Sequence, residues 1–191
     1  MVARHEHGFK NENRIINKHG LRGAEGYTDK WDAIAPRASI GHGKHQKMYF
    51  NVPVQIKTIR EGGSVDMGDV FRHSKTNEDF ILHVDFYNKK DKSKIVESHI
   101  LYVEVEKWKP LFKFEGYDFL RKCLNEITNA YSDDPKWKGM ISEMKERWGD
   151  RPVKLAPKRD HKKQKRIQCT IPNRKFYNEI VPVFKKATYI K

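Results

Sequence analysis

Three polar side chains on two neighbouring predicted strands offer the clearest chemistry in this sequence. Asp32 lies in segment 28–35, which alternates enough to predict a strand, and Gln55 and Lys57 lie in the strand predicted over 49–58. Because side chains alternate along a strand, Gln55 and Lys57 point to the same face. If the strands pair, Asp32 reaches the same place, where a carboxylate and an amide oxygen suit a hard divalent cation such as magnesium. A lysine beside them would orient a water nucleophile or neutralise charge on a phosphate as it reacts.

Asp32 has a competitor, and two of these residues have a plainer interpretation. Asp29 lies three residues earlier and would point to the opposite face of the strand. We favour Asp32 because it lies deeper in the apolar stretch 31–34, nearer the centre of the predicted strand. The alternatives are that Asp32 is a surface carboxylate paired with a lysine and that Lys57 is an ordinary solvated strand residue.

The elements that must position these residues form an α/β pattern. Apolar residues recur at helical spacing over 9–19, 117–131 and 137–148, whereas alternation predicts strands over 79–88, 94–108 and 167–171 in addition to those above. Segment 65–73 is predicted as a short helix, and segment 36–48, with its glycines, proline and basic residues, as a loop. The strands on either side of that loop are expected to pair, as are strands 79–88 and 94–108. We therefore predict an α/β fold with a mixed central β-sheet flanked by helices.

Charge and composition narrow the class of protein and its partners. The 191 residues fit one domain, predicted over 1–191, and carry 39 Lys and Arg against 25 Asp and Glu, a net charge of +14. Such a surface attracts polyanions, and nucleic acid is the commonest of these inside cells. No apolar run approaches the ~20 residues of a membrane-spanning helix, and no secretory signal follows the basic N-terminus, so we expect an intracellular, cytoplasmic protein. Two cysteines cannot build a disulfide framework or complete a four-ligand zinc site.

The order of the polar residues resembles that of a known nuclease superfamily. A helix carrying Glu12, then Asp32 on a strand, then Gln55-x-Lys57 on the next strand, looks like the PD-(D/E)xK motif, and more narrowly like restriction endonucleases in which glutamine replaces the second acid. The resemblance covers residues 9–60. It implies a restriction-endonuclease-like core and a catalytic group of Glu12, Asp32, Gln55 and Lys57. It also implies Mg²⁺ held by the first three of these, with Mn²⁺ able to substitute. The alternative for Glu12 is one of many carboxylates on a helix face.

Basic segments elsewhere are candidates for DNA contact. The run 154–166 has seven positive residues against one Asp, and we predict a basic arm or loop that contacts phosphates, with a solvated segment as the alternative. The loop 36–48 and the turn 173–175 are candidates to reach base edges. The candidate DNA-binding residues are Arg37, Lys44, Gln46, Lys158, Arg159, Lys162, Lys163, Lys165, Arg166, Arg174 and Lys175.

The resemblance and the charge together imply a metal-dependent endonuclease that hydrolyses phosphodiester bonds in double-stranded DNA. The expected kind is a type II restriction endonuclease, which cuts a specific duplex sequence. One site per chain and two strands to cut favour a homodimer. A non-catalytic, basic nucleic-acid-binding protein is the first alternative, and a nuclease acting on branched DNA, as junction resolvases do, is the second.

Overall fold

The computed structural model describes residues 3–23, 31–114, 117–126, 135–159 and 165–191. Contacts group the chain into two compact units. The first, here called the barrel unit, comprises Met1–Gly63, Glu78–Val105 and Tyr177–Lys191, and the second unit comprises Ser64–Asn77 and Glu106–Phe176. The prediction of a single domain over 1–191 stays a prediction. Within the described ranges, every helix is too short or too polar to cross a membrane.

The described elements alternate between helices and strands along the chain. In chain order they are α1 (Ala3–His19), β1 (Arg22–Gly23), β2 (Ala33–Ile40), a 3₁₀ turn (Gly43–His45), β3 (Lys47–Arg60), β4 (Val65–Asp69), α2 (Val70–Ser74), β5 (Phe80–Tyr87), β6 (Ile95–Val103), α3 (Val105–Phe112), α4 (Tyr117–Glu126), α5 (Pro135–Trp148), β7 (Lys154–Arg159), β8 (Lys165–Ile171), α6 (Asn173–Lys175), a π-helical turn (Phe176–Ile180) and β9 (Lys185–Tyr189).

The strands of the barrel unit close into a ring. β2 pairs with β3, β5 with β6, β6 with β9 and β9 with β2, all antiparallel, while β3 and β5 run parallel. The short β1 adds to β2 outside this ring. The predicted α/β class with a mixed sheet is confirmed. The closure of five strands into a barrel, in place of an open central sheet, was not predicted.

Small and branched side chains fill the barrel. Ala33 pairs with Val54 and Ala35 with Val52, and all four are buried. Directly opposed residues share one face of a sheet, so these pairs form one layer of the interior. Side chains from α1 and the segment after it join the same apolar cluster, as do residues of β5, β6 and β9. The cluster includes Ile15, Leu21, Ile56, Ile81, Tyr102, Ala187 and Tyr189. A five-stranded barrel is narrow, so its interior is a packed core with no channel.

Most predicted elements are confirmed, and three need correction, two in the barrel unit and one in the second unit. Residues 28–30 of the predicted strand 28–35 lie outside the described residues, and 31–32 form a bend before β2 begins at Ala33. β2 continues to Ile40, so the first part of the predicted loop 36–48 is strand. Pro36 suggested a loop because it has no N–H to donate, and the β2–β3 ladder does skip the pairing at that position. The predicted strand 94–108 ends at Val103, where α3 follows. The predicted helix 65–73 is instead β4 followed by the single-turn helix α2.

The second unit pairs β4, β8 and β7 into an antiparallel sheet. The basic run 154–166 was predicted to be an arm or loop. Instead its two ends form β7 and the start of β8, with Lys158 opposite Arg166. Buried residues at alternate positions, Leu155 and Pro157 on β7 and Ile167, Cys169 and Ile171 on β8, give this hairpin one apolar face, which is what a strand needs. The buried side of α5 consists of Trp137, Met140, Met144 and Trp148.

Truncation of Ile81 tests how much stability the barrel core supplies. Ile81 is fully buried in the apolar cluster, and Ile81→Ala should lower the free energy of unfolding by about 2–5 kcal/mol. The control is Val96→Ala on β6, where the side chain is 41% exposed and the loss should stay within about 0.5 kcal/mol. Denaturant unfolding of both variants measures the difference. Equal losses would contradict a packed barrel interior.

Candidate active site

The structure brings Glu12, Asp32, Gln55 and Lys57 together on the barrel unit. Register places Asp32 one step beyond the Ala33–Val54 pair, level with Gln55, and the Asp32 N–H donates to the Val54 carbonyl oxygen at 3.0 Å. Asp32 lies in a bend just before β2, whereas we expected it near a strand centre. Its competitor Asp29 lies outside the described residues.

The carboxylate of Asp32 lies at the point where β3 loses its partner on one side. β2 begins at Ala33, whereas β3 runs on to Arg60 and, in the described part of the chain, pairs there only with β5. The Ile56 N–H is the first backbone donor beyond the end of the β2–β3 pairing, and it donates to Asp32 Oδ2 at 2.7 Å. The same oxygen accepts a hydrogen bond from Gln55 Nε2. Two donors therefore hold the Asp32 carboxylate in one orientation.

Glu12 approaches this carboxylate from α1. It occupies the same face of the helix as Ile15, which is buried in the barrel cluster, so Glu12 is carried inward. Burial, the charge of Asp32 and a hydrogen bond with it raise the pKa of Glu12 to about 7, while Lys57 acts to lower it. A pair of carboxyl groups that share a hydrogen bond keeps one proton between them near neutral pH.

Lys57 and Gln55 complete the cluster from β3. They are two residues apart and share a face, as predicted; Gln55 is buried and Lys57 half-buried. The Gln55 amide presents its nitrogen to Asp32, which leaves its oxygen available as an acceptor on the other side. The result is two carboxylates, one amide and one cation at a single place on the surface of the barrel unit.

The donor set suits a hard divalent cation. Carboxylate and amide oxygens are the ligands that Mg²⁺ prefers, with water completing the octahedron. Two carboxyl groups that must share a proton would both ionise beside a divalent cation. Among the described residues, no three His, Cys, Asp or Glu side chains gather as a metal cluster. The candidate magnesium site has only two acidic residues, Glu12 and Asp32, and its third ligand oxygen would come from the Gln55 amide.

The predicted DNA-binding residues fall on both units. In the barrel unit Arg37 lies exposed on β2, Lys44 lies exposed in the 3₁₀ turn, and Gln46 donates to Ser39 Oγ. In the second unit Lys165 and Arg174 are exposed, Lys158 and Arg166 are half-buried, and Lys175 Nζ donates to the Asp150 carbonyl at 2.9 Å. Lys162 and Lys163 lie outside the described residues, as does the side chain of Arg159.

Sequence reasoning missed a second polar group inside the barrel unit. The buried His83 places Nε2 2.9 Å from Asp85 Oδ1 and 3.2 Å from Ser98 Oγ, and Nδ1 3.2 Å from the Tyr189 hydroxyl. Burial would raise the pKa of Asp85, but hydrogen bonds from His83 and Ser98 and the charge of Arg14 lower it below its usual range. The signal was present in the sequence as two polar residues, 83 and 85, that interrupt one face of an apolar strand.

This second group does not have the geometry of a nucleophilic triad. In a Ser-His-Asp triad the serine and the aspartate bond opposite nitrogens of the imidazole. Here Ser98 and Asp85 both lie at Nε2, and Ser98 Oγ donates directly to Asp85 Oδ1 at 2.5 Å. Its hydrogen bonds join β5, β6 and β9, so its role in the structure is to tie these strands together.

The shared proton predicts how stability depends on pH. Between pH 4.5, where an ordinary glutamate titrates, and pH 7, the folded chain retains a proton on Glu12 that the unfolded chain has lost. The free energy of unfolding therefore falls as pH rises through this window. Glu12→Gln should remove that component and be more stable than the parent above pH 7, by about 1 kcal/mol after allowance for solvent screening at a half-buried site.

Thermal unfolding of both proteins across this pH range measures the effect without metal. The comparison is made between parent and variant because other groups, His19 among them, also titrate in the window. Parallel curves for the two proteins would contradict the raised pKa of Glu12.

The four residues predicted as the catalytic group converge, and the structure provides their contacts. Asp32 is fixed by Ile56 and Gln55, and Glu12 is held against it with Lys57 nearby. Comparison with protein-family models, with curated proteins and with solved structures finds no match to this chain.

Proposed function

We propose that this protein is a metal-dependent DNA endonuclease of the PD-(D/E)xK type, with a restriction-endonuclease-like active site. The observation that carries the proposal is the pairing of Glu12 with Asp32 beside Lys57. Two carboxyl groups forced together at a half-buried site destabilise the fold unless a proton or a cation lies between them. Chains retain such pairs where the charge has a use, most often at active sites.

In this proposal Glu12, Asp32 and Gln55 hold Mg²⁺, or Mn²⁺ in its place. The ion would supply charge stabilisation for the reacting phosphate and lower the pKa of bound water. The fixed orientation of Asp32, set by the Ile56 N–H and the Gln55 amide, supports this role because a ligand that is already positioned need not be reorganised.

Lys57 acts on the phosphate in this scheme. Its ammonium group lies near enough to Glu12 to affect the pKa of that carboxyl, so it is within range of charge at the same place. A lysine held there would stabilise the negative charge that grows on the phosphate oxygens as the bond breaks. Half burial strengthens this interaction because fewer water molecules screen it.

Charge supports DNA as the substrate. From Ala33 to Arg60 the chain contains five Lys or Arg and no Asp or Glu. This segment forms β2 and β3, and β3 carries Gln55 and Lys57. A polyanion is therefore attracted to the strands that form the candidate site. The basic hairpin of β7 and β8 offers phosphate contacts from the second unit. A homodimer would supply two such sites, one for each strand of a duplex, as type II restriction endonucleases require.

One observation favours a non-catalytic, nucleic-acid-binding protein as the second candidate. The hydrogen bonds of Asp32 to the Ile56 N–H and Gln55 also explain this aspartate as a cap on the open edge of β3. In that case Gln55 and Lys57 are polar strand residues, and the basic charge alone has a function.

Cleavage assays on Lys57→Ala distinguish the two candidates. With supercoiled plasmid and Mg²⁺, the parent should cut, and Lys57→Ala should cut about 100- to 1000-fold more slowly, because the charge that stabilises the transition state is lost. The matched control is Lys90→Ala, which removes one exposed lysine from the turn after β5 and should cut like the parent. A chelator should stop all three proteins.

Binding is measured on the same variants with Ca²⁺ in place of Mg²⁺. Lys57→Ala and Lys90→Ala should bind a duplex equally, since each removes one positive charge. Parental cutting by Lys57→Ala would refute the active-site assignment. Binding without any cutting by the parent protein would support the non-catalytic candidate.

A further inference from the structure

β3 exposes an aromatic and a thioether side chain next to an arginine. Phe50 is 64% exposed and Met48 44%, and both are large apolar side chains on a strand of a small barrel. Arg37 is paired with Phe50 across β2 and β3, and its guanidinium carbon lies 6.0 Å from the centre of the Phe50 ring. We call Arg37, Met48 and Phe50 the Phe50 patch.

A backbone irregularity at Asn51 turns Met48 and Phe50 away from the barrel interior. Val52 and Val54 point into the barrel, so strict alternation would send Phe50 and Met48 into the barrel as well. Instead Tyr49 packs against the barrel cluster and Phe50 faces solvent. Asn51, between Phe50 and Val52, has φ of +53°, a left-handed conformation that asparagine adopts more readily than other residues with a side chain.

The neighbouring strand changes phase at the same level. On β2 the buried residues are Ala33 and Ala35 before Pro36, but Ala38 and Ile40 after it. The Asn51 side chain accepts a hydrogen bond from Arg22 Nη2 at 2.6 Å, which holds the irregularity in place. The left-handed conformation of Asn51 and its hydrogen bond with Arg22 therefore keep the Phe50 ring exposed to solvent.

The charge around the patch selects the kind of partner. Arg37 and Arg22 lie at the patch, Lys44 is exposed in the turn between β2 and β3, and Lys47 is exposed at the start of β3. No acidic residue occurs between Ala33 and Arg60. An exposed aromatic ring with cations beside it matches a stacked base beside its phosphates, the combination used by proteins that bind single strands. A second copy of this chain in contact with the same patch would place these cations against one another. An apolar protein partner would offer them no opposite charge.

We propose that the Phe50 patch binds unpaired nucleotides, with one base stacked on the Phe50 ring and the adjacent phosphate near Arg37. The proposal is independent of catalysis, because Phe50 lies five residues along β3 from Gln55, roughly 17 Å away. The shared chemistry is the flat face of an unpaired base next to a phosphate, which either a DNA or an RNA strand supplies.

Fluorescence anisotropy in EDTA tests the proposal without any metal at the candidate active site. The probes are labelled oligodeoxythymidine, labelled oligouridine and a labelled duplex of the same length. Phe50→Ala should weaken binding to a single strand about 5- to 150-fold, with a smaller effect on the duplex, where bases are already stacked. The two single-stranded probes show whether DNA or RNA is preferred. Lys90→Ala, an exposed lysine in the turn after β5, should bind like the parent. Because EDTA removes any metal from the assay, failure of the nuclease proposal would leave this result intact.

Four further variants separate base stacking from other roles of Phe50. Phe50→Trp should retain binding and Phe50→Leu should lose it, because only the former keeps an aromatic face. Val183→Ala, which alters an apolar side chain 46% exposed elsewhere on the barrel unit, should have no effect. Arg37→Ala should lower the slope of log affinity against log salt by about 0.7, the loss of one phosphate contact on a single strand, whereas Phe50→Ala should leave the slope unchanged.

Two results would overturn the proposal. The first is binding by Phe50→Ala or Phe50→Leu as tight as that of the parent. The second is a change from dimer to monomer in sedimentation of Phe50→Ala with its binding unchanged, which would assign the patch to contact between copies. Thermal unfolding of each variant confirms that the fold is retained, as expected for a side chain that is mostly exposed.

Discussion

The hydrogen bond from the Ile56 N–H to Asp32 marks the constraint on which the candidate site depends. A closed barrel pairs its strands along most of their length, but β3 extends beyond the start of β2 and leaves backbone donors on one edge. An unpaired donor at a half-buried edge is costly, and the Asp32 carboxylate satisfies it. The need to end the pairing of β2 with β3 thus places a negative charge, in a fixed orientation, at the same level as Gln55.

Glu12 adds a second carboxyl group that the fold does not require. Asp32 is already satisfied by Ile56 and Gln55, so a neutral residue at position 12 would be more stable at neutral pH. The raised pKa of Glu12 is the measure of this conflict. Pairs of carboxyl groups of this kind are common at active sites, where their charge has a use.

Much of the barrel unit could be predicted from the sequence, because α1, β3, β5 and β6 have clear apolar periodicity. Closure could not, since β9 is short and only Ala187 and Tyr189 of its five residues are buried. Gln55 and Lys57 were placed together by alternation alone, and Glu12 was assigned through the family resemblance. Polar residues that face the barrel interior, such as His83, were missed because a polar residue in an alternating strand is normally assigned to the solvent-facing side. The change of phase at Asn51 was also invisible, since any residue in a strand is assumed to be extended.

Metal binding accompanied by proton release is the most direct test of the account. Titration calorimetry with Mn²⁺, in buffers of different ionisation enthalpy and at a pH just below the pKa of Glu12, measures both quantities at once. The account predicts saturable binding that releases more than half a proton per chain at this pH, because the cation replaces the proton shared by Glu12 and Asp32. Glu12→Gln should bind with almost no release. Absence of binding, or equal proton release by both proteins, would contradict it.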